Sequence, residues 1–296
     1  MAQQGAPVNG TLRLGTRAFP PGTHAVMAIV NRTPDSFYDK GATFALDAAL
    51  ARVDKAVSEG ADIVDVGGVK AGHGPPVSED EEIARTADLV AAVRELHGGI
   101  VISVDTYRHR VADAVCRAGA DLINETWAGA DPDLANVAAE HGVGLVCSHT
   151  GGLPPRTDPH RVRYDNVVAD VIAGTTALAD KAVAAGVRPD ALLVDPTHDF
   201  GKNTYHSLEL TRRLGELVAT GWPVLVALSR KDFVGETLDL SVDDRLAGTL
   251  AATVISAWHG ARVFRAHDVA ATRQALDMVG SIRGTRPPAV ARRGLA

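Results

Sequence analysis

The sequence predicts a single-domain α/β protein, a (β/α)8 TIM barrel over residues 24–284. Three observations carry that expectation. Eight short apolar runs alternate in order with amphipathic stretches, the pattern of strand–helix pairs. The runs are aliphatic or β-branched nearly throughout rather than alternating with polar residues, as parallel strands covered on both faces require. Gly60, Gly119, Gly142, Gly186, Gly221 and Gly260 each precede a run, where a left-handed cap ends a helix. An open doubly wound sheet is the alternative fold. The lack of a GxGxxG after the first strand counts against it.

The elements follow one another as the barrel demands. HAVMAIVN (24–31) is the first strand and ALDAALARVDKAVSEG (45–60) the first clear helix, with apolar residues at helical spacing. ADIVDVGG (61–68) leads into SEDEEIARTADLVAAVREL (78–96), where Ser78 and Glu81 suit a capping box. GIVISVDT (99–106), the helix YRHRVADAVCRAG (107–119) and ADLINET (120–126) come next. GLVCSHT (144–150), ALLVDPT (191–197), PVLVALS (223–229) and ARVFRAHD (261–268) complete the strands. Residues 1–23 and the tail 285–296 read as poorly ordered ends, and GGLPPRTDPHRVRYD (151–165) as a long polar loop.

Bulk properties narrow the class of protein. The chain has 296 residues, 46% of them hydrophobic, with mass enough for one large core. Thirty basic and 36 acidic residues leave a net charge of −6, which gives no global pull toward nucleic acid or membrane. No uncharged apolar stretch reaches spanning length and no secretory signal is visible. Cys116 and Cys147 lie in apolar periodic segments and form neither a disulfide framework nor a metal motif. A cytoplasmic protein is expected.

In such a barrel, chemistry gathers at the C-terminal ends of the strands. Asn31, Asp105, Asn124, His149, Asp195 and Ser229 end successive strands, Arg230 and Lys231 follow the seventh, and the eighth carries Arg265 and His267. Asp65 is placed deeper and suits a buried polar network. A single strand-end Asp is equally well explained as a helix cap. Together the set suits a planar heterocycle and an anion. Amides and carboxylates match the edges of a fused amino-heterocycle, while Arg265, His267 and Lys231 could hold a phosphate or pyrophosphate.

NRTPDSFYDKG (31–41), GADIVDVGG (60–68), ISVDTYR (102–108) and DLINETW (121–127) resemble the dihydropteroate synthase family. So do DPTHDFGK (195–202), LSRKDFVG (228–235) and FRAHDV (264–269), and the likeness runs from about residue 24 to 282. It implies a barrel, usually a homodimer, that joins 6-hydroxymethyl-7,8-dihydropterin pyrophosphate to p-aminobenzoate in folate biosynthesis, with Mg2+ as cofactor. By that resemblance Asp105, Asn124, Asp195 and Lys231 hold the pterin. Asn31, Arg265 and His267 grip the pyrophosphate, Asn31 through Mg2+. Phe37, Phe200, Ser229 and Arg230 border the aryl substrate, and Lys231, Asp105 and Arg265 form the catalytic set.

The chain also departs from the family. After GG the family typically continues Glu-Ser-Thr-Arg-Pro-Gly; here positions 69–74 read Val69, Lys70, Ala71, Gly72, His73 and Gly74. Ala71 and Gly72 offer no hydroxyl or guanidinium to close over an arylamine. Arg32, Ser148, Thr197, Asp199 and Ala227 depart as well. The expectation is a homologue that binds the pterin pyrophosphate but has weak or no synthase activity. An active synthase in which Lys70 or His73 substitutes in the loop is one alternative, against solvated loop residues. A non-catalytic binder of a pterin or phosphorylated metabolite is another, with Arg32 and Lys70 pointing to a more anionic ligand. A pterin-binding methyltransferase is the remaining one, disfavoured by the SRK and pyrophosphate-gripping motifs.

Overall fold

The computed structural model describes residues 10–33, 45–70, 72, 74–157 and 163–293. All eight expected strands are present: β3 (Ala25–Asn31), β4 (Ile63–Gly67), β5 (Val101–Asp105), β6 (Leu122–Asn124), β7 (Gly144–Ser148), β8 (Leu192–Asp195), β9 (Leu225–Ala227) and β10 (Val263–Ala266). They run parallel in the order β8-β7-β6-β5-β4-β3-β10-β9. A single bridge from Val194 to Val224 closes the barrel between β8 and the entry to β9.

Helices clothe the outside. The first five are α1 (Leu46–Ser58), α2 (Glu79–Leu96), α3 (His109–Arg117), α4 (Leu134–His141) and α5 (Val167–Ala185). After β8 come α6 (Thr204–Arg212) and the short α7 (Leu214–Val218); after β9 come α8 (Asp232–Leu238) and α9 (Leu246–His259); α10 (Val269–Ile282) closes the series. The six expected glycines all adopt left-handed φ, as at Gly186 (φ 105°) after α5. At α2 only half the capping box is seen, with Ser78 accepting from the Glu81 N–H at 3.2 Å. No helix of the described residues is long and apolar enough to cross a membrane.

Alternate strand residues serve two cores. Val26, Ala28 and Val30 of β3 face outward onto Ala49 and Val53 of α1. Met27, Ile63, Val101, Leu122, Val146, Leu193, Leu225 and Val263 fill the lower barrel interior. Cys147 is buried, Cys116 is half-buried, and both are free thiols.

The N-terminal expectation needs correction. Within 1–23, a hairpin of β1 (Leu12–Leu14) and β2 (Arg17–Phe19) pairs Leu12 with Phe19. Its Leu12, Leu14 and Phe19 plug the bottom of the barrel against the inner core. Each such burial is worth roughly 1.5–3 kcal/mol, enough to order a short segment. Gly15 turns with φ 53° hard against Asp121, where a Cβ would collide with the carboxylate. Arg17 adds an ion pair to Asp62 at 3.0 Å, and Arg262 donates to the Gly10 carbonyl at 2.7 Å.

Candidate active site

The deepest polar group of the barrel is Asp65, in mid-strand on β4 and fully buried. Ladder register places it beside Ser103 of β5. Its carboxylate accepts from Ser103 Oγ at 2.6 Å, Asn124 Nδ2 at 3.2 Å and Arg265 Nε at 2.6 Å. A buried carboxylate needs such partners, since an uncompensated charge would cost several kcal/mol. Arg265 also donates from Nη2 to Asp105 at 3.2 Å, and Thr126 Oγ1 donates to the same carboxylate at 3.0 Å. One guanidinium therefore bridges a mid-strand carboxylate and a strand-end one. Burial pushes the Asp105 carboxyl up to about 6, with Arg265 opposing the shift.

Across the mouth, β8 supplies Asp195, which is buried and accepts the Thr197 N–H at 2.7 Å. Burial raises its pKa, opposed first by Lys231. Lys231 donates to the His198 carbonyl and its Nζ lies 4.9 Å from the centre of the Phe200 ring. Burial lowers the lysine's pKa, with Asp199 and then Asp195 opposing. His267 meets Ser229 Oγ through Nδ1 at 2.9 Å. Burial, Arg265, Arg230 and Arg52 push His267 down to about 3, so its imidazole is neutral near pH 7 in the ligand-free mouth.

A cavity of about 400 Å³ opens over these groups. It brings together Asn31, Asp105, Lys231, Arg265 and His267, with Phe200, Ser229 and Arg230 at its wall. Asn124 and Asp195 do not line it; Asn124 donates to Asp65, which the wall residue Arg265 also meets, and Asp195 accepts the Thr197 N–H. His149 turns away, its Nε2 2.7 Å from Asp170 on α5. Phe37, Ala71 and His73 lie outside the described residues.

Two expectations about arginines change. Arg230 borders the cavity, but its guanidinium is bound to Asp268 at 2.9 Å and to the Val242 and Asp243 carbonyls at 2.8 and 2.7 Å. It braces the loop after β9 instead of presenting a free charge to an aryl substrate. Arg32 pairs with Asp88 at 2.6 Å and donates to the Arg85 carbonyl, both on α2, so its charge is spent away from the mouth. Lys70, by contrast, lines the cavity beside Val69 and Gly72. Among the described residues, a Cβ on Gly72 would meet nothing within 4 Å.

Two buried groups, Glu125 and Lys202, escaped the sequence reading, and Ser148 and Asp199, noted there only as departures, join their networks. Glu125 accepts from the Trp127 N–H at 2.6 Å and the Gly129 N–H at 2.9 Å, and burial pushes it up to about 7. Ser148 joins that cluster, 3.4 Å from Glu125 and accepting the Ala128 N–H at 3.0 Å. Lys202 is buried and donates to the carbonyls of His149, Phe200 and Thr197 at 2.7, 2.9 and 3.1 Å. Asp199 accepts from the Phe233 N–H at 3.2 Å and from Ser207 Oγ at 3.1 Å. The signal was the motif DPTHDFGK itself, in which a lysine closes a turn of strand-end polar residues.

That turn also shows how the chain tolerates its departures. Thr197 (φ 53°) and Asp199 (φ 70°) keep the left-handed backbone that glycine adopts freely. Each such non-glycine residue costs on the order of 1–2 kcal/mol. Hydrogen bonds offset the cost: Thr197 Oγ1 accepts the His149 N–H at 3.1 Å, and Asp199 anchors α8 through the Phe233 N–H.

Residues 27–267 match the family model described as pterin binding enzyme. A Mycobacterium leprae protein named inactive dihydropteroate synthase 2 is 60% identical over 92% of this chain and 94% of its own length. Among solved structures, a Yersinia pestis dihydropteroate synthase in a sulfonamide drug complex superposes with a TM-score of 0.88 at 34% identity, covering 93% of this chain and all of that one. A Xanthomonas albilineans dihydropteroate synthase with 4-aminobenzoic acid gives a TM-score of 0.84 at 34% identity over 96% of this chain and all of that one. With that family model over most of its length and a barrel that superposes on theirs, this chain belongs to the dihydropteroate synthase family of pterin-binding enzymes.

Proposed function

We propose that the mouth cavity binds 6-hydroxymethyl-7,8-dihydropterin pyrophosphate and that the chain has weak or no synthase turnover. The observation that carries this reading is a contrast within one cavity. The deep network of Asp65, Asn124, Arg265 and Asp105 is fully connected. The segment that would close over an arylamine instead has open space at Gly72. A fused amino-heterocycle would meet the carboxylate edge of Asp105 at the cavity wall, with Asn124 and Asp195 behind that wall. Departure of pyrophosphate leaves a methyl cation on the pterin, which those carboxylates would stabilise, while Arg265 and Lys231 would stabilise the leaving anion.

The amine attacks only if held about 3–3.5 Å from the cationic carbon, so losing its positioning groups suppresses turnover while binding survives. The name of the M. leprae relative accords with that outcome. For Mg2+, Asn31 offers the cavity a neutral oxygen. A hard cation binding through phosphate oxygens and water, with few protein ligands, is compatible with it. The described His109, Asp131 and Asp133 lie near one another, but none lines the cavity. A role beside folate biosynthesis in the cytoplasm follows from the same reading. A homodimer is supported by Ile255 and Trp258 of α9 and Met278 and Ile282 of α10, large apolar side chains 47–61% exposed.

Calorimetry with the pterin pyrophosphate and a pyrophosphate-release assay with p-aminobenzoate and Mg2+ test the proposal. Binding without turnover is the expected result. Turnover like that of an active synthase refutes the inactive reading, and lack of binding refutes the pterin site. The pair Ala71→Thr and Gly72→Arg should raise turnover by about a hundredfold if the lost positioning groups are the defect.

A further inference from the structure

Lys70 is a basic residue that the family comparison leaves without a role. It follows β4 by three residues, and what precedes it is fixed. Gly68 packs so closely on α2 that a Cβ would lie 2.7 Å from Thr86, and Arg85 donates to the Gly68 carbonyl at 2.9 Å. The ladder sets Gly67 beside Asn31 of β3, and β3 neighbours β10, the strand of Arg265. Lys70 therefore lines the same cavity as Asn31, Arg265 and His267, three residues beyond a strand whose end pairs with Asn31.

The other cations at the cavity wall have protein partners. Arg265 spans Asp65 and Asp105, Arg230 is clamped by Asp268, and Lys231 donates to the His198 carbonyl. The wall carboxylates are also engaged: Asp232 pairs with Arg245 at 2.8 Å and Asp199 holds the start of α8. Among the described residues Lys70 has neither a hydrogen bond nor an ion pair, although it is half-buried in the cavity wall.

We propose that Lys70 is an anion-binding residue for a phosphate or diphosphate group, and that it lets this mouth hold such a ligand without a divalent cation. The proposal rests on the pterin pyrophosphate reading and refines its charged half. An ammonium on a flexible stem is a point charge with three donors, suited to a phosphate oxygen whose position a metal would otherwise fix. Gly72 leaves room beside it for the group to enter. The ligand class is an organic diphosphate, or free pyrophosphate, bound in its metal-free form.

The test is calorimetry on the full chain with inorganic pyrophosphate, in EDTA and again with Mg2+. Arms with orthophosphate and with a pterin lacking phosphate separate the charged half from the ring half. The wild type is expected to bind pyrophosphate in EDTA. Lys70→Ala should weaken that binding tenfold or more, and Lys70→Arg should retain most of it. Orthophosphate should bind more weakly than pyrophosphate. Because Lys70 has no partner among the described residues, Lys70→Ala should melt like the wild type, so a loss of affinity reports the contact itself. Pyrophosphate binding that requires Mg2+, or that is unchanged in Lys70→Ala, overturns the proposal while leaving the pterin site standing if the phosphate-free pterin binds. Failure of every pterin to bind would instead remove the reading beneath it.

Discussion

Replacing Lys202 with methionine should alter stability in a pH-dependent way. The amine is buried beneath the mouth, and burial pulls its pKa from 10.5 to about 7, with Asp195 the leading opposing charge. A lysine with a lowered folded-state pKa binds fewer protons folded than unfolded between the two values. The penalty is thus fully present below pH 7 and is relieved as pH rises toward 10.5. Lys202→Met carries no such group. From pH 7 to 9 the wild type should gain about 2 kcal/mol relative to Lys202→Met, since each fully developed pH unit is worth about 1.4 kcal/mol. Urea unfolding of both proteins across pH 6–9 measures it, read as the difference in stability at each pH. The three carbonyl acceptors at 2.7–3.1 Å offer a competing expectation, because only an ammonium has three protons to give them. A flat difference from pH 6 to 9 would show that those bonds hold the charge, and the burial argument would be refuted.

Two further outcomes follow from the same structure. Arg265→Ala should cost about 3–5 kcal/mol in urea unfolding, because Asp65 is left buried without its cation; the double variant with Asp65→Asn should recover part of it, and a single-variant loss below about 1 kcal/mol would contradict the network. Trp258→Asp should halve the mass seen by light scattering if α9 and α10 pair two copies, and an unchanged mass would place the dimer contact elsewhere or remove it.

The barrel was legible because its strands are read two ways at once. An aliphatic run such as VMAIV in β3 must be covered on both faces, and the polar residue that ends it must then face the rim. That logic located Asn31, Asp105, Lys231, Arg265 and His267 in one cavity. It did not distinguish a free charge from a spent one. Arg230 and Lys231 are neighbours in sequence, yet Arg230 adopts φ 55° and turns into carbonyls of the loop before α9, while Lys231 faces the cavity. Partners like Val242 and Asp243 are distant in the chain and leave no periodic trace. The hairpin was missed for a different reason: Leu12, Leu14 and Phe19 alternate as a strand pair should, but their position near a terminus argued against order.

The divergence of the mouth follows the division between ladder and loop. Asp65, Asp105, Asn124 and Arg265 sit on strands whose register is fixed on both sides, and each carries a partner's charge or hydrogen bond. Removing any one leaves another buried polar group uncompensated, so a change there damages folding as well as ligand binding. Gly72 stands on a connection where no atom of the described residues lies within 4 Å of a Cβ, so a side chain there has no packing among those residues to hold it in place. The turn of Thr197 and Asp199 lies between these cases. Its side chains offset backbone strain with bonds to His149 and Phe233, which makes reversion to glycine a loss of anchors as well as a gain of freedom. A chain of this design can shed the positioning of its second substrate while the pocket for the first stays tied to the stability of the barrel.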